Sequence, residues 1–572
     1  MNDLREFVNS EHEVAQDQLF ENWDKPLNKK LESGHSQSIT HLEKSDERDC
    51  IWAYLDKGES RFREGDMVCL HLGDAVNDRF LKQLSIERDE DTRWLLCKMG
   101  LNTDFANYKG GKCYADTDSM DLTPLYNKSL NELADTSIGR EIVLPLLAGQ
   151  LNTDKIYEYA YDMAAEYADE MQLNELQIEA VAISVGAEYV ACVQGPPGTG
   201  KTKVLSIIAE LLVKNGETVL MTSHTHMAIN NALNKISETK VPVIKVGTKS
   251  SKNGLNESIP IYSSVDDWVD RPGNGYVIGA TPYATCTTRL ESIDFHTVIF
   301  DEASQVTMPL AVMAMRKARK FIFIGDQKQL PPVVLSKSIL DEKNHSAFGE
   351  LVSRLSNTKV MLDTTYRLNQ WLTQWPSDNF YESKLKSGGD NQQRQFRLNT
   401  VPNKFKDVLS PEHSLIFIPS AEAGARTVNM KDAKLISEII SEVISSGLPA
   451  EEIGVVTPFR NQAKRIRALL KKDLSKNITD LIIVDTVERM QGQEREMIIL
   501  SFTATDEFFI KNISTFLFQP ERLNVSITRS KTKLIIIGPK ITENFYTEDS
   551  RVIRWVQWYK NITRHCKEVR AG

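Results

Sequence analysis

The strongest constraint on the fold is a glycine-rich run between a predicted strand and a predicted helix. The run reads Gly195-Pro-Pro-Gly-Thr-Gly-Lys201-Thr202 and matches the pattern GxxxxGK[ST]. It follows the apolar stretch Tyr189–Val193 and opens the amphipathic stretch Lys203–Lys214. Glycines let such a loop wrap so that successive backbone N–H groups point at a phosphate, and the helix N-terminus adds a favourable partial charge. A parallel α/β fold is therefore predicted, with a phosphate site at the end of a strand.

Each residue type in this loop has a part in binding a nucleoside triphosphate. Backbone groups at four positions are expected to cradle the phosphates: Gly195, Gly198, Thr199 and Gly200. Lys201 is expected to reach the β- and γ-phosphates, and the Thr202 hydroxyl to bind Mg²⁺. The predicted cofactors are accordingly ATP and Mg²⁺. The alternative is a glycine-rich turn that binds no phosphate. Such a turn would have to match every fixed position of the pattern, and both the strand before it and the helix after it, by chance.

A second candidate element is the apolar stretch Val298–Phe300, which ends in Asp301 and Glu302. Asp301 is predicted to hold Mg²⁺ through water, and Glu302 to act as the base that polarises the attacking water. Two acids after a strand are also common at a helix N-cap, so this pair gains its meaning from the glycine-rich loop. Hydrolysis also needs positive charge near the transition state, and composition alone does not select Arg367 and Arg529 among the arginines.

Short apolar strands alternate with amphipathic helices from about residue 188 onwards, as in parallel sheets covered on both faces. The first predicted set is Tyr189–Val193, Thr218–Met221, Tyr276–Gly279, Thr297–Phe300 and Phe321–Ile324. The second predicted set is Leu415–Ile418, Ile453–Thr457, Leu481–Val484, Met497–Phe502 and Leu534–Ile537. The pattern predicts two consecutive α/β domains.

The N-terminal part of the chain has a different character. Val68, Leu70 and Leu72 alternate with the residues between them, and Arg93–Cys97 is a second strand candidate, so a small β domain is predicted within residues 60–115. The 572 residues carry a net charge of −9, but residues 1–170 carry −16 and the remainder +7. The positive net charge of residues 171–572 is compatible with nucleic acid as a partner, which the charge of the whole chain would disfavour. The acidic region is either a solvated surface or a site for a protein partner.

The seven cysteines lie singly, without CxxC pairs, which argues against a disulfide framework and a zinc module. No apolar run approaches the roughly 18 residues of a membrane span, and the N-terminus has no apolar signal segment. We therefore expect a cytoplasmic protein that binds no membrane.

Further motifs carry a family resemblance. In chain order they are Leu173–Gln177, Gly195–Thr202, Thr222–Ala228, Asp301–Gln305, Gly325–Pro332, Thr365–Leu368, Val484–Glu494 and Arg522–Arg529. This series resembles the superfamily 1 helicases over residues 170–540, specifically the branch that contains the eukaryotic nonsense-mediated-decay helicase. The pieces GDQKQLPP and RLNVSITR are the most specific. The resemblance implies two tandem RecA-like domains, and the N-terminal β pattern is compatible with the family's small accessory barrel.

The resemblance also implies roles at the matching positions. Gln177 is expected to read the adenine edge, Tyr366 to stack on the adenine, and Gln329 to sense the γ-phosphate. The other implied cleft residues are Gly492 and Glu494 in the lining, and Arg367 and Arg529 as arginine fingers. The implied contacts to a single strand are Thr225, Thr281, Pro331 and Thr486. For each threonine, a turn or a helix cap is the alternative.

Two positions depart from the family pattern. His226 stands where asparagine is usual, and Thr365 where the eukaryotic relatives tend to have glutamine. The predicted domains are an accessory region at 1–165, a first RecA-like domain at 166–355 and a second at 356–572.

The function that the resemblance implies is an ATP-dependent translocase or helicase that hydrolyses ATP between the two RecA-like domains and moves 5′→3′ along a single strand. The alternative is an ATP-gated nucleic-acid clamp without significant unwinding. DNA and RNA both stay open as the strand, because the family contains enzymes for each.

Overall fold

Two compact units make up the chain in the computed structural model, which describes residues 1–570 except 48, 57–59, 91, 99–110, 248–251, 337–345, 543–544, 546 and 548. The first unit consists mainly of residues 1–135 and includes the short segment 333–336. The second contains two large parallel sheets. No helix within these described ranges is long and apolar enough to cross a membrane.

The first unit is a closed six-stranded antiparallel barrel with three helices. Its strands are β1 (Ser36–Lys44), β2 (Cys50–Leu55), β3 (Met67–His71), β4 (Arg79–Asp89), β5 (Arg93–Lys98) and β6 (Cys113–Thr117). Its helices are α1 (Asn2–Asp24), α2 (Leu27–Glu32) and α3 (Thr123–Asp135). The order β1-β2-β5-β4-β3-β6 closes because β6 pairs with both β3 and β1.

Alternating apolar side chains fill the barrel. Ile39, Val68, Leu84 and Leu96 are fully buried in its core, since every second residue of a strand faces the same side. Closure pairs each of the six described strands along both of its edges. The structure confirms the predicted N-terminal β element as a barrel, which extends beyond residues 60–115 on both sides.

Cys50 and Cys97 are joined by a disulfide within this barrel. They lie directly opposite each other on the antiparallel strands β2 and β5, where side chains on one face come close. The sequence argued against a disulfide framework, and this single disulfide corrects the expectation that the cysteines stay unpaired. Spacing along the chain hid it, because 47 positions separate the two cysteines and only the strand register brings them together.

Replacing both cysteines by serine should destabilise the barrel under oxidising conditions. In the chain-entropy description, a cross-link across 47 positions stabilises the folded state by about 4 kcal/mol. Hydrogen exchange of the β2 and β5 amides would measure this as faster opening. A reductant should bring the unaltered chain to the same exchange rate. Equal rates for both proteins without reductant would contradict the expectation.

The first sheet of the second unit has eight parallel strands. They are β7 (Val190–Gln194), β8 (Thr218–Thr222), β9 (Val243–Val246), β10 (Ile261–Tyr262), β11 (Tyr276–Gly279), β12 (Thr297–Phe300), β13 (Lys320–Gly325) and β14 (Lys359–Met361). The helices of this half are α4 (Leu144–Leu147), α5 (Glu158–Glu170), α6 (Glu175–Gly186), α7 (Lys201–Lys214), α8 (His226–Ser237), α9 (Met308–Met315) and α10 (Ala347–Arg354). The order is β10-β9-β11-β8-β12-β13-β7-β14.

The second sheet has six parallel strands. They are β17 (Leu415–Pro419), β18 (Ile453–Thr457), β19 (Ile483–Thr486), β20 (Arg495–Ser501), β21 (Ser530–Gly538) and β22 (Lys567–Glu568), in the order β19-β18-β20-β21-β17-β22. Before it, β15 (Thr364–Thr365) pairs with β16 (Lys386–Ser387). The helices are α11 (Gln370–Phe380), α12 (Met430–Ser445), α13 (Arg460–Asp473), α14 (Lys476–Thr479), α15 (Glu507–Asn512), α16 (Ser514–Leu517), α17 (Pro520–Ile527) and α18 (Ser550–His565).

Every strand predicted for the two sheets is present, so the fold class is confirmed. The predicted bounds in the first sheet agree to within one residue, because these strands are apolar on both faces and end at turn residues. The prediction missed β9, β10 and β14 in the first sheet and β22 in the second. Three of these, β10, β14 and β22, lie at the edges of their sheets. Edge strands are short and half-exposed, so their pattern is weak.

Adjacent strands in the centre of the first sheet position the site. Strands β12, β13 and β7 are neighbours and run parallel. Their carboxyl ends therefore meet at one edge, where ligands bind in open α/β sheets. The loops that leave this edge begin at Gly195, Asp301 and Asp326.

Candidate functional site

A cleft of about 760 Å³ is lined by both α/β halves of the second unit. From the first half, the predicted residues in its lining are Gly198, Thr199, Gly200, Lys201, Thr202, Asp301, Glu302 and Gln329. From the second half, they are Tyr366, Arg367, Gly492, Glu494 and Arg529. The fold thus gathers at one place residues that are far apart in the sequence. Gly195 and Gln177 lie outside the lining.

The glycine-rich loop wraps around the lysine at its end. Gly198 and Gly200 have φ values of +75° and +82°, which suit residues without a Cβ. The Lys201 Nζ donates to the carbonyl oxygen of Gly195 at 2.5 Å, and α7 begins at Lys201. Burial lowers the pKa of Lys201, although the carboxylates of Glu302 and Asp326 oppose this shift. An anionic ligand would compensate the buried ammonium.

The two acids after β12 have different surroundings. Burial, and then the neighbouring charge of Glu302, raise the pKa of Asp301 to about 7. Glu302 adopts the left-handed conformation with φ at +49°, and its carboxylate accepts a hydrogen bond from the Gln491 Nε2 at 3.1 Å. The Asp301 carboxylate and the Thr202 hydroxyl are hard oxygen donors that fit Mg²⁺, and a cation there would favour the ionised Asp301.

Two arginines reach the cleft from the second half. The Arg367 Nε donates to Glu494 at 2.6 Å. Arg529 is 2% exposed and donates to the backbone oxygens of Val525 and Gln493, and to the Gln329 side chain at 3.3 Å. Burial, and then the charge of Arg367, lower the pKa of Arg529 to about 9. Both side chains are thus positioned by the second half toward the end of the cleft that holds Lys201.

The Gln177 side chain is hydrogen-bonded to the glycine-rich loop. It accepts from the Asn174 backbone N–H at 3.1 Å and donates to the Thr199 carbonyl oxygen at 3.0 Å. Asn174 in turn donates to the Tyr366 hydroxyl at 2.8 Å, and the Tyr366 side chain is 43% exposed. Gln177 therefore has partners for both polar atoms, whereas Tyr366 presents an open ring surface for stacking.

The residues assigned to a single strand have different local surroundings. Thr225 lines the same cleft as the glycine-rich loop, and its hydroxyl caps α8 by accepting from Ala228. Thr486 is 5% exposed, and its hydroxyl bonds to the Glu488 carboxylate. Pro331 is exposed, and Thr281 is half-buried before a short 3₁₀ turn. Thr225 thus adopts the capping arrangement that was the alternative interpretation.

Sequence reasoning missed several polar residues of this region. His224, Gln305, Glu488 and Gln491 also line the cleft. All four lie inside the motifs, where position in the motif is the only signal. Asp326, behind Gln329, is fully buried. It lies in the motif Gly325–Pro332, but its local sequence does not predict that one of its hydrogen-bond donors, Tyr381, comes from the second half.

Substituting Gly198 by alanine should weaken nucleotide binding at least tenfold. A Cβ built there would lie 2.4 Å from the Arg367 Cβ and 2.5 Å from the Thr365 Oγ1, so the second half would be pushed off the loop. Gly424 is a matched control, since its φ of +74° is the same but no atom lies within 4 Å. Titration with a fluorescent nucleotide measures both variants. Equal effects would mean that backbone strain alone is responsible.

A glycine-rich loop on one parallel sheet, an adjacent acid pair and two arginines from a second parallel sheet define a P-loop protein with tandem RecA-like domains. Two family models, each described as an AAA domain, match this chain, one over residues 172–346 and the other over residues 343–541. With the motif series, these matches identify AAA-type helicase domains, and the relatives of the chain are superfamily 1 helicases.

Curated relatives carry names in accord with this family. The chain is 28% identical over 491 residues to the DNA replication ATP-dependent helicase/nuclease DNA2 of Saccharomyces cerevisiae, which is 79% of this chain and 31% of that protein. It is 27% identical to the DNA polymerase alpha-associated DNA helicase A of Schizosaccharomyces pombe, over 67% of this chain and 64% of that protein. It is also 27% identical to the ATP-dependent helicase upf1 of Schizosaccharomyces pombe, over 69% of this chain and 47% of that protein.

The chain therefore spans between about a third and two thirds of the length of these relatives. Among solved structures, a complex of the arterivirus nonstructural protein 10 helicase with DNA is similar at a TM-score of 0.37 and 12% identity, over 88% of this chain and 79% of that chain.

Proposed function

We propose that this chain is an ATP-dependent nucleic-acid translocase that hydrolyses ATP between its two RecA-like halves. The observation that carries the proposal is the cleft itself. Lys201 and the acid pair come from one half, and Arg367 and Arg529 come from the other. Because hydrolysis needs groups from both halves, binding and release of the nucleotide would close and open the cleft. A strand held across both halves would then advance with each turnover.

The hydrolytic roles follow from the surroundings of each side chain. Glu302 is the base that polarises the attacking water, because its carboxylate lies in the cleft beside the second half. Lys201, Arg367 and Arg529 neutralise the charge that develops on the phosphoryl group. Mg²⁺, when bound at Thr202 and Asp301, would supply further neutralisation of the phosphates. Gln329, held against Arg529, would report on the γ-phosphate.

Single-stranded nucleic acid is the proposed track. The names of the relatives and the basic balance of residues 171–572 support it. The proposed strand contacts are the half-buried Thr281 and the exposed Pro331, because hydroxyl groups position a phosphate backbone and a ring can pack on a base. The family resemblance supports movement in the 5′→3′ direction. The acidic composition of residues 1–170 supports a protein partner on that region, and the proposed location is the cytoplasm.

Substituting Glu302 by glutamine should lower ATP turnover at least about 100-fold and leave nucleotide binding intact, since a general base contributes on that scale. Steady-state phosphate release measures turnover, and a fluorescent nucleotide measures binding. Glu210→Gln is a matched control, because the Glu210 carboxylate is likewise hydrogen-bonded but its partners, Tyr167 and Lys214, lie outside the cleft lining. Full turnover in Glu302→Gln would show that another group acts as the base.

Turnover should rise when a single strand is added. The measurement compares no nucleic acid, single-stranded DNA and a matched RNA at two salt concentrations. Each phosphate contact should contribute a slope of about −0.7 in log affinity against log salt. A duplex-displacement assay accompanies it. ATP-controlled binding without displacement would instead indicate the clamp, and a lack of stimulation by either strand would contradict the motor.

A further inference from the structure

Asp326 is a buried carboxylate at the boundary between the two halves of the second unit. It follows β13 directly and is fully buried. Its Oδ1 accepts from the Lys328 backbone N–H at 3.1 Å, and its Oδ2 accepts from the Gln329 Nε2 at 3.0 Å. The same Oδ2 accepts from the Tyr381 hydroxyl at 2.7 Å. A buried charge needs such donors, and here one donor comes from the other half.

Tyr381 reaches Asp326 from the end of α11 and is itself held by a third element. Its side chain is 1% exposed, and its hydroxyl accepts from the Asn524 Nδ2 at 2.8 Å. Asn524 lies on α17, is fully buried and also donates to the Lys328 carbonyl oxygen at 2.8 Å. Burial, and then the charge of Asp326, raise the pKa of Tyr381 well above 10, so the hydroxyl stays a donor at neutral pH.

The hydrogen bonds orient one functional amide. Because Asp326 binds the Nε2 of Gln329, the Oε1 of that amide is left to face the Arg529 guanidinium, at 3.3 Å. If the Gln329 amide were rotated by 180°, its NH₂ group would face the Arg529 guanidinium, so that two donors would meet. Its carbonyl oxygen would then face the Asp326 carboxylate, so that two acceptors would meet. The side chain that is expected to sense the γ-phosphate is thus fixed by an acid that the second half holds in place.

We propose that Tyr381 is a positioning residue for ATP hydrolysis: held by Asn524, it fixes Asp326 and thereby the orientation of Gln329 toward Arg529. It lies outside the lining of the cleft. It links the Gln329 loop of the first half to α11 and α17 of the second half. It can therefore position Gln329 only when the two halves are in contact at this place. This inference rests on the proposed ATPase and names a further residue of the same site.

The test is Tyr381→Phe in the full chain, which removes one hydroxyl and keeps the ring. Strand-stimulated kcat should fall about tenfold, as for other residues that position a functional group through a partner, with KM for ATP unchanged within about twofold. Tyr559→Phe is the matched control. Tyr559 is equally buried, belongs to the same apolar core and donates to the Pro539 carbonyl oxygen at 2.8 Å. The kcat of Tyr559→Phe should stay within about twofold of that of the unaltered chain.

A double-mutant cycle separates positioning from a general loss of structure. If Tyr381 acts through Gln329, then Tyr381→Phe adds no further loss to Gln329→Ala, measured by single-turnover hydrolysis so that slow rates are resolved. The inference would be overturned if the double variant lost the product of the two single-variant losses in rate. An unchanged kcat in Tyr381→Phe would overturn it as well. Should Tyr381→Phe unfold, judged by circular dichroism, Asn524→Ala takes its place with the same expectations.

The same data distinguish this inference from the proposed function. An unaltered chain that hydrolyses ATP, with Tyr381→Phe equally active, overturns the role of Tyr381 alone. An unaltered chain without ATP turnover overturns the proposed function and this inference with it.

Discussion

Two hydrogen bonds between the glycine-rich loop and β15 hold the site together. The Tyr366 backbone N–H donates to the Gly198 carbonyl oxygen at 2.8 Å, and the Thr365 hydroxyl donates to that of Pro197 at 2.8 Å. They fix the start of the second half directly against the phosphate-binding loop. Arg367 follows at once in the chain, and so its guanidinium is delivered to the cleft by a short and stiff connection. The geometry of hydrolysis therefore depends on contact between backbones, which a side chain at Gly198 would prevent.

The charges of the cleft are arranged for a ligand that brings negative charge and a cation. Burial lowers the pKa of Lys201 and of Arg529 and raises the pKa of Asp301. Each shift disfavours the charged form, as expected where desolvation is stronger than the attraction of neighbours. A bound triphosphate would favour the charged forms of the two cations, and a metal ion would favour the ionised acid. Nucleotide binding would thus be coupled to the electrostatics of both halves, with the hydrogen bonds of Asp326 transmitting the change between them.

Much of this architecture could be predicted from the sequence because its signals are local. The central strands of the first sheet are apolar on both faces and end at turn residues, so their predicted bounds are accurate to about a residue. The glycine-rich loop and the acids of β12 are read from spacing alone. The edge strands β10 and β14 were missed because a strand of two or three residues has no period to detect. Thr225 illustrates a different limit, since a threonine that caps a helix and one that faces a ligand look alike in sequence.

The sequence by itself determined the class of fold, the phosphate site and the family, because each is encoded in contiguous residues whose conformation depends on near neighbours. Tertiary structure alone decided the pairing of Cys50 with Cys97, the placement of Arg529 against Gln329 and the contact of Tyr381 with Asp326. Each of these joins positions at least 47 residues apart. Strand register and the packing of separate elements set such contacts, and neither leaves a trace in local composition.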